Sequence, residues 1–86
     1  MKMLAAAMAI SFASATAAFA DDRALTEAEI EGVQKAVQAA GCTVADREIE
    51  AEKNGYEAED AICEDRKQYD IYLDKDFNII KKVLED

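Results

Sequence analysis

Five glutamates recur at the spacing of an extended strand. Glu48, Glu50 and Glu52 alternate with other residues, and Glu57 and Glu59 follow after a short break. Successive side chains of a strand point to opposite faces, so this spacing gathers the carboxylates on one side. Such a face attracts cations, either a divalent ion or the basic surface of a protein. The wet side of an ordinary antiparallel sheet carries the same pattern. General acid chemistry would need a carboxyl raised in pKa by burial, and a chain of this size has little room for a cleft. Nucleophilic catalysis is poorly supplied too. There is no histidine, and the only serines, Ser11 and Ser14, lie near the N-terminus.

Two further groups could do chemistry. The segment DKDFNIIKKVLE sets Asp74, Asp76, Asn78 and Glu85 at the ligand positions 1, 3, 5 and 12 of a calcium loop. The glycine such a loop needs at position 6 is replaced by Ile79, a β-branched residue that resists the sharp turn. Asp74 and Asp76 therefore read as turn residues. The other group is Cys42 and Cys63, the only cysteines. They could be a disulfide, two free thiols or metal ligands. Their wide spacing and the absence of histidine disfavour zinc, so no metal and no cofactor is expected.

The first residues bear on that choice. MKMLAAAMAISFASATAAFA has one basic residue, a short uncharged apolar run, and small residues at Ala18 and Ala20. That is the pattern of a cleaved secretory leader, with a mature start at Asp21. The apolar run is too short and alanine-rich for a good spanning helix. Residues 21–86 then form one domain, periplasmic or secreted, with no membrane insertion. An exported chain meets oxidising conditions, where an even cysteine count favours a disulfide between Cys42 and Cys63. A small core profits from such a staple.

Leader removal takes away Lys2 and no acid, so the formal charge moves from −9 to −10. Nucleic acid binding needs clustered Lys and Arg and is excluded. The charge instead suits a protein partner with a basic surface.

The elements that must position these groups are legible from periodicity. Leu25 to Gly41 reads as one amphipathic helix. Thr26 and Glu29 form a capping box, and Leu25 with Ile30 fits a hydrophobic staple. Ile30, Val33 and Val37 recur at helical spacing. Gly32 inside this helix costs up to ~1 kcal/mol relative to alanine, which close packing of a neighbour could offset. From Val44 the period becomes two. Asn54-Gly55 predicts a type I′ hairpin turn between Val44–Lys53 and Tyr56–Cys63. In that register Ala51 faces Ala58, Ile49 faces Asp60, Arg47 faces Ile62, Glu50 faces Glu59 and Glu52 faces Glu57. Asp60 on the inner face then implies a bulge or a strand end. Gln68 to Leu73 alternates again, and Ile79 to Leu84 is a last strand. The expected fold is α+β, one helix on a four-stranded antiparallel meander. Its core is Leu25, Ile30, Val33, Val37, Ile49, Tyr56, Ile62, Tyr69, Ile71 and Leu73.

A capped helix ending in AAG, a strand, NGYEAEDAIC and QYDIYLDKDFNII together resemble the PepSY domain family. Tyr69 to Ile80 is similar to the closing hairpin of that family, and Gly55 to Glu59 to its G-x-YEV strand. Phe77-Asn78 stands where the family commonly has a turn glycine. The resemblance implies a non-catalytic α+β module, of the kind found in metallopeptidase propeptides and in stand-alone exported proteins. It carries no catalytic residue over to this chain. It implies a binding module, such as a modulator of a peptidase or of another envelope protein. An acidic protein that binds calcium-type cations through its glutamate face is the other expectation.

Overall fold

Thr26 starts the only α-helix of the described part, residues 23–85 of a computed structural model. Its hydroxyl accepts from the Glu29 N–H at 3.1 Å, and the Glu29 carboxylate accepts from the Thr26 N–H at 2.9 Å. This reciprocal pair satisfies two backbone donors that a helix start leaves open. Helix α1 then runs Glu27–Ala39, and Gly41 just past its C-cap adopts φ 81°. Leu25 precedes the cap and lies outside the helix, half-buried against the core with Ile30.

Five antiparallel strands follow, one more than the alternation suggests. They are β1 (Cys42–Thr43), β2 (Ile49–Glu52), β3 (Gly55–Cys63), β4 (Gln68–Asp74) and β5 (Ile79–Leu84). The sheet order is β1-β3-β4-β5, and β2 pairs with the other half of the same β3 edge. The expected strand Val44–Lys53 is thus broken. Cys42 pairs with Cys63 and Thr43 with Ile62, while Ile49 pairs with Ala58. Five residues, 44–48, must match three, 59–61. The surplus is taken up by a 3-10 turn at Asp46–Glu48.

The hairpin turn also sits elsewhere. Glu52 pairs with Gly55, so Lys53 and Asn54 are the turn residues. Neither they nor Gly55 have positive φ, so the turn is not type I′. Gly55 has a different reason to be glycine. A Cβ there would lie 1.9 Å from the Leu73 carbonyl oxygen on β4. The register therefore differs from the expected one by two residues, which leaves every side chain on its expected face.

That holds only as far as Ala58. Asp60 has φ 58°, and the β3–β4 register shifts between Ala58 and Ala61. The bulge anticipated at Asp60 is there, and it inverts the phase of the strand beyond it. Ala61 and Cys63 turn inward and are buried, and Ile62 turns outward, so Ile62 is not a core residue.

The core comprises Val33 and Val37 from α1, with Cys42, Ile49, Ala51, Tyr56, Ala58, Ala61, Cys63, Ile71 and Leu73 from the sheet. Tyr69 is half-buried at its margin. α1 packs chiefly over β1 and β3. Cys42 and Cys63 form a disulfide between directly paired positions and tie the edge strand to the central one.

The β4–β5 turn is closed by Asp74. Its carboxylate accepts from the N–H groups of Asp76 and Asn78, both at 2.9 Å, and from Asn78 Nδ2 at 3.2 Å. These bonds lower the Asp74 pKa, the Asn78 backbone bond most of all. Phe77 occupies the left-handed position at φ 66°. Its ring stacks on Tyr56 at 5.2 Å between centroids and covers Gly32, where a Cβ would lie 2.6 Å from it. Close packing thus offsets the cost of a helical glycine. Gly32→Ala should destabilise the protein by about 1–3 kcal/mol, as overpacking does. In a Phe77→Gly background the same change should stabilise by up to ~1 kcal/mol, the ordinary helix preference. Urea unfolding of the four proteins of this cycle measures the change of sign, and an unchanged sign would mean that the ring is not what excludes a side chain.

Candidate functional site

The face of the sheet opposite α1 carries the carboxylates. Glu50 and Glu57 are directly paired across β2 and β3, in place of the expected Glu50–Glu59 and Glu52–Glu57 pairs. Carboxylate oxygens of Glu50, Glu52 and Glu57 all lie within 4.8 Å of one another. Glu59 continues this side of β3. Glu48 does not join the strand, because the 3-10 turn absorbs it. Its charge still reaches Glu59, whose pKa is raised by burial first and then by Glu50, Asp70 and Glu48.

Like charges placed opposite each other cost stability, and among the described residues no basic side chain forms an ion pair with these. Among the described residues the one ion pair is Arg23–Glu29, away from this face. The strain shows at Glu57. Partial burial, a hydrogen bond shared with Glu52 and the charge of Glu59 push its pKa up to about 7. The folded state therefore holds this proton more tightly than the unfolded chain does. Its contribution is fully present below the ordinary value of 4.5 and is lost as pH rises through about 7. Glu57→Gln should raise stability at pH 8 by roughly 1 kcal/mol, a discounted figure because the group is largely in water. It should also flatten part of the fall in melting temperature between pH 5 and pH 8. An unchanged slope would mean that Glu57 is ionised throughout.

A second acidic group was not visible in the local pattern. Oxygens of Asp60, Asp70 and Glu85 also lie within 4.8 Å of one another. Hydrogen bonding with Asp70 and then Asp60 pushes Glu85 up to about 7. The alternation of β4 puts Asp70 on this face, and the bulge at Asp60 delivers the second carboxylate. The third arrives from the far end of β5, beyond any sequence spacing. Among the described residues these two groups are the sets that could hold a cation.

Tyr56, read only as a core residue, has a polar role as well. Its hydroxyl donates to Glu29 Oε2 at 2.7 Å, and Arg23 donates to both Glu29 oxygens at 3.0 and 2.8 Å. The Arg23 bonds, then the Thr26 N–H, then Tyr56 hold the Glu29 carboxyl well below the usual carboxylate range. The network fastens the β2–β3 hairpin to the start of α1. Across the sheet, Tyr72 pairs with Glu57, and Lys81 Nζ lies 5.0 Å from the Tyr72 ring centroid. The predicted cleavage site after residue 20 lies outside the described residues. Among the described residues no helix is long and apolar enough to cross a membrane.

No curated protein and no solved structure matches this chain. A family model described as peptidase propeptide and YPEB domain matches residues 3–83, nearly the whole length. Its span takes in the capped helix, the carboxylate-bearing β2–β3 hairpin and the Tyr69–Ile80 hairpin, and the chain belongs to this PepSY family of peptidase propeptide and YPEB domains.

Proposed function

We propose that this protein is a non-catalytic, exported binding module that modulates a peptidase or another envelope protein. The observation that carries the reading is the carboxylate face. Glu50, Glu52 and Glu57 are crowded within 4.8 Å, with no basic side chain among the described residues paired to them, on a sheet held by a disulfide. A basic partner surface would relieve that repulsion on docking and steer the encounter. Family membership supports the direction of the reading, since the family description names peptidase propeptides.

The test compares wild-type mature protein with a Glu50→Gln, Glu52→Gln, Glu57→Gln variant as bait in envelope extract. The wild type should retain a basic partner at low salt and release it at high salt, and the variant should not retain it. If a peptidase is retained, its activity should fall when the wild-type protein is added. Equal capture by both baits, unaffected by salt, would overturn the role given to this face.

The same clustering favours a second reading, in which the face holds divalent cations. Calcium at about 1 mM, within the range of extracellular calcium modules, should then raise the melting temperature more than sodium chloride of matched ionic strength. Equal shifts would eliminate this reading.

A further inference from the structure

The two edges of the sheet are built differently. On one, β1 and β2 are short and separated by a 3-10 turn, so little continuous backbone is offered there. On the other, β5 runs for six residues, all exposed. α1 packs over the opposite half of the sheet and leaves β5 uncovered. Four large apolar side chains line it, Ile79, Ile80, Val83 and Leu84, with Ile80 at 65% exposure. Between them stand Lys81 and Lys82.

The pairing with β4 gives each lysine a side. Lys81 is opposite Tyr72 on the carboxylate face, and Lys82 is opposite Ile71 on the helix face. Lys82 Nζ lies 4.4 Å from the Tyr69 ring centroid. Neither forms an ion pair among the described residues. From Phe77 to Leu84 there is no acidic residue, in a chain of net charge −9. β5 is a basic, apolar edge on an acidic protein.

Lysines on an edge strand ordinarily deter pairing with another copy. They would do so here. A two-fold antiparallel pairing along the length of β5 brings Lys81 or Lys82, according to register, against its own counterpart on the axis, and like charges directly opposite are destabilising. The bulge at Ile80, where the register shifts between Tyr72 and Leu73, guards the start of the strand in the same way. An edge built only to repel would not also display four large apolar side chains. The combination rejects a second copy and accepts a strand of opposite charge.

We propose that β5 is a docking edge for an extended segment of another protein in which carboxylates alternate with apolar residues. The segment adds to the sheet through main-chain hydrogen bonds, the mode of β-strand addition. Alternation puts each set on one face, so its carboxylates meet Lys82 while its apolar side chains cover Val83, or they meet Lys81 while its apolar side chains cover Leu84. This surface differs in charge and position from the carboxylate face and does not depend on what that face binds.

The probe is a capped octapeptide of alternating valine and glutamate, with a valine–lysine octapeptide as control. Amide NMR of the mature protein should show shifts centred on Ile79–Leu84 with the acidic peptide. Amide exchange in β5 should slow about tenfold or more at saturation, as newly bonded edge amides become protected. A Lys81→Glu, Lys82→Glu variant that melts like the wild type should lose this response and gain one to the valine–lysine peptide. Equal response to both peptides, no response at millimolar peptide, or shifts centred away from β5 would overturn the proposal. So would a dimer already protected at β5 without peptide, since a second copy would then be the occupant.

Discussion

Replacing Cys42 and Cys63 by alanine should destabilise the protein by about 3 kcal/mol, the chain-entropy value for a loop of this length. The cysteines are 21 residues apart in sequence. A domain of this size has a total stability of roughly 3–10 kcal/mol, so the loss is a large share of it. The effect should be uneven. β1 has two residues, and the five that follow it, 44–48, leave the sheet before β2 rejoins it. Without the disulfide, two paired residues must hold that segment alone. Amide exchange at Thr43 and through the 3-10 turn should therefore quicken before that of β3 and β4. Urea unfolding with and without reductant measures the energy, and exchange measures its distribution. An unchanged midpoint on reduction would show that core packing alone holds this edge.

The same segment marks where sequence reasoning reached and where it stopped. Local signals carried over well. The capping box at Thr26 and Glu29 is a three-residue relation, and it forms as its chemistry requires. Glu50, Glu52 and Glu57 share a face because strand parity survives a two-residue error in register. What failed were quantities set by more than one strand. Asn54-Gly55 looks like a turn dipeptide, yet Gly55 is needed because β4 passes close to it, a contact 18 residues away in sequence. Val44–Lys53 alternates like one strand, but its partner is three residues long where it has five. The Asp60–Asp70–Glu85 group draws on three separate strand regions and has no spacing to betray it. Gly32 did announce a close neighbour. That the neighbour is Phe77, in a left-handed turn position, needed the fold.

Two isoleucines separate the register of β3 from its composition. Ile71 is fully buried, at 0% exposure, in the middle of β4, while Ile62 on β3 is 41% exposed. Ile71→Ala should cost about 2–5 kcal/mol, the range for buried large-to-small changes that leave a cavity. Ile62→Ala should stay within about 0.5 kcal/mol, as substitutions away from the core do. Plain alternation through β3 would bury Ile62 and make the two costs alike. The difference arises at Asp60, whose left-handed backbone adds a residue and exchanges the faces of the strand beyond it. It is this exchange that turns Cys63 inward to meet Cys42 and Ile62 out to solvent. Parallel urea unfolding of the two variants reads it directly. Comparable losses would place Ile62 in the core and remove the phase inversion, and with it the account of how the disulfide is positioned.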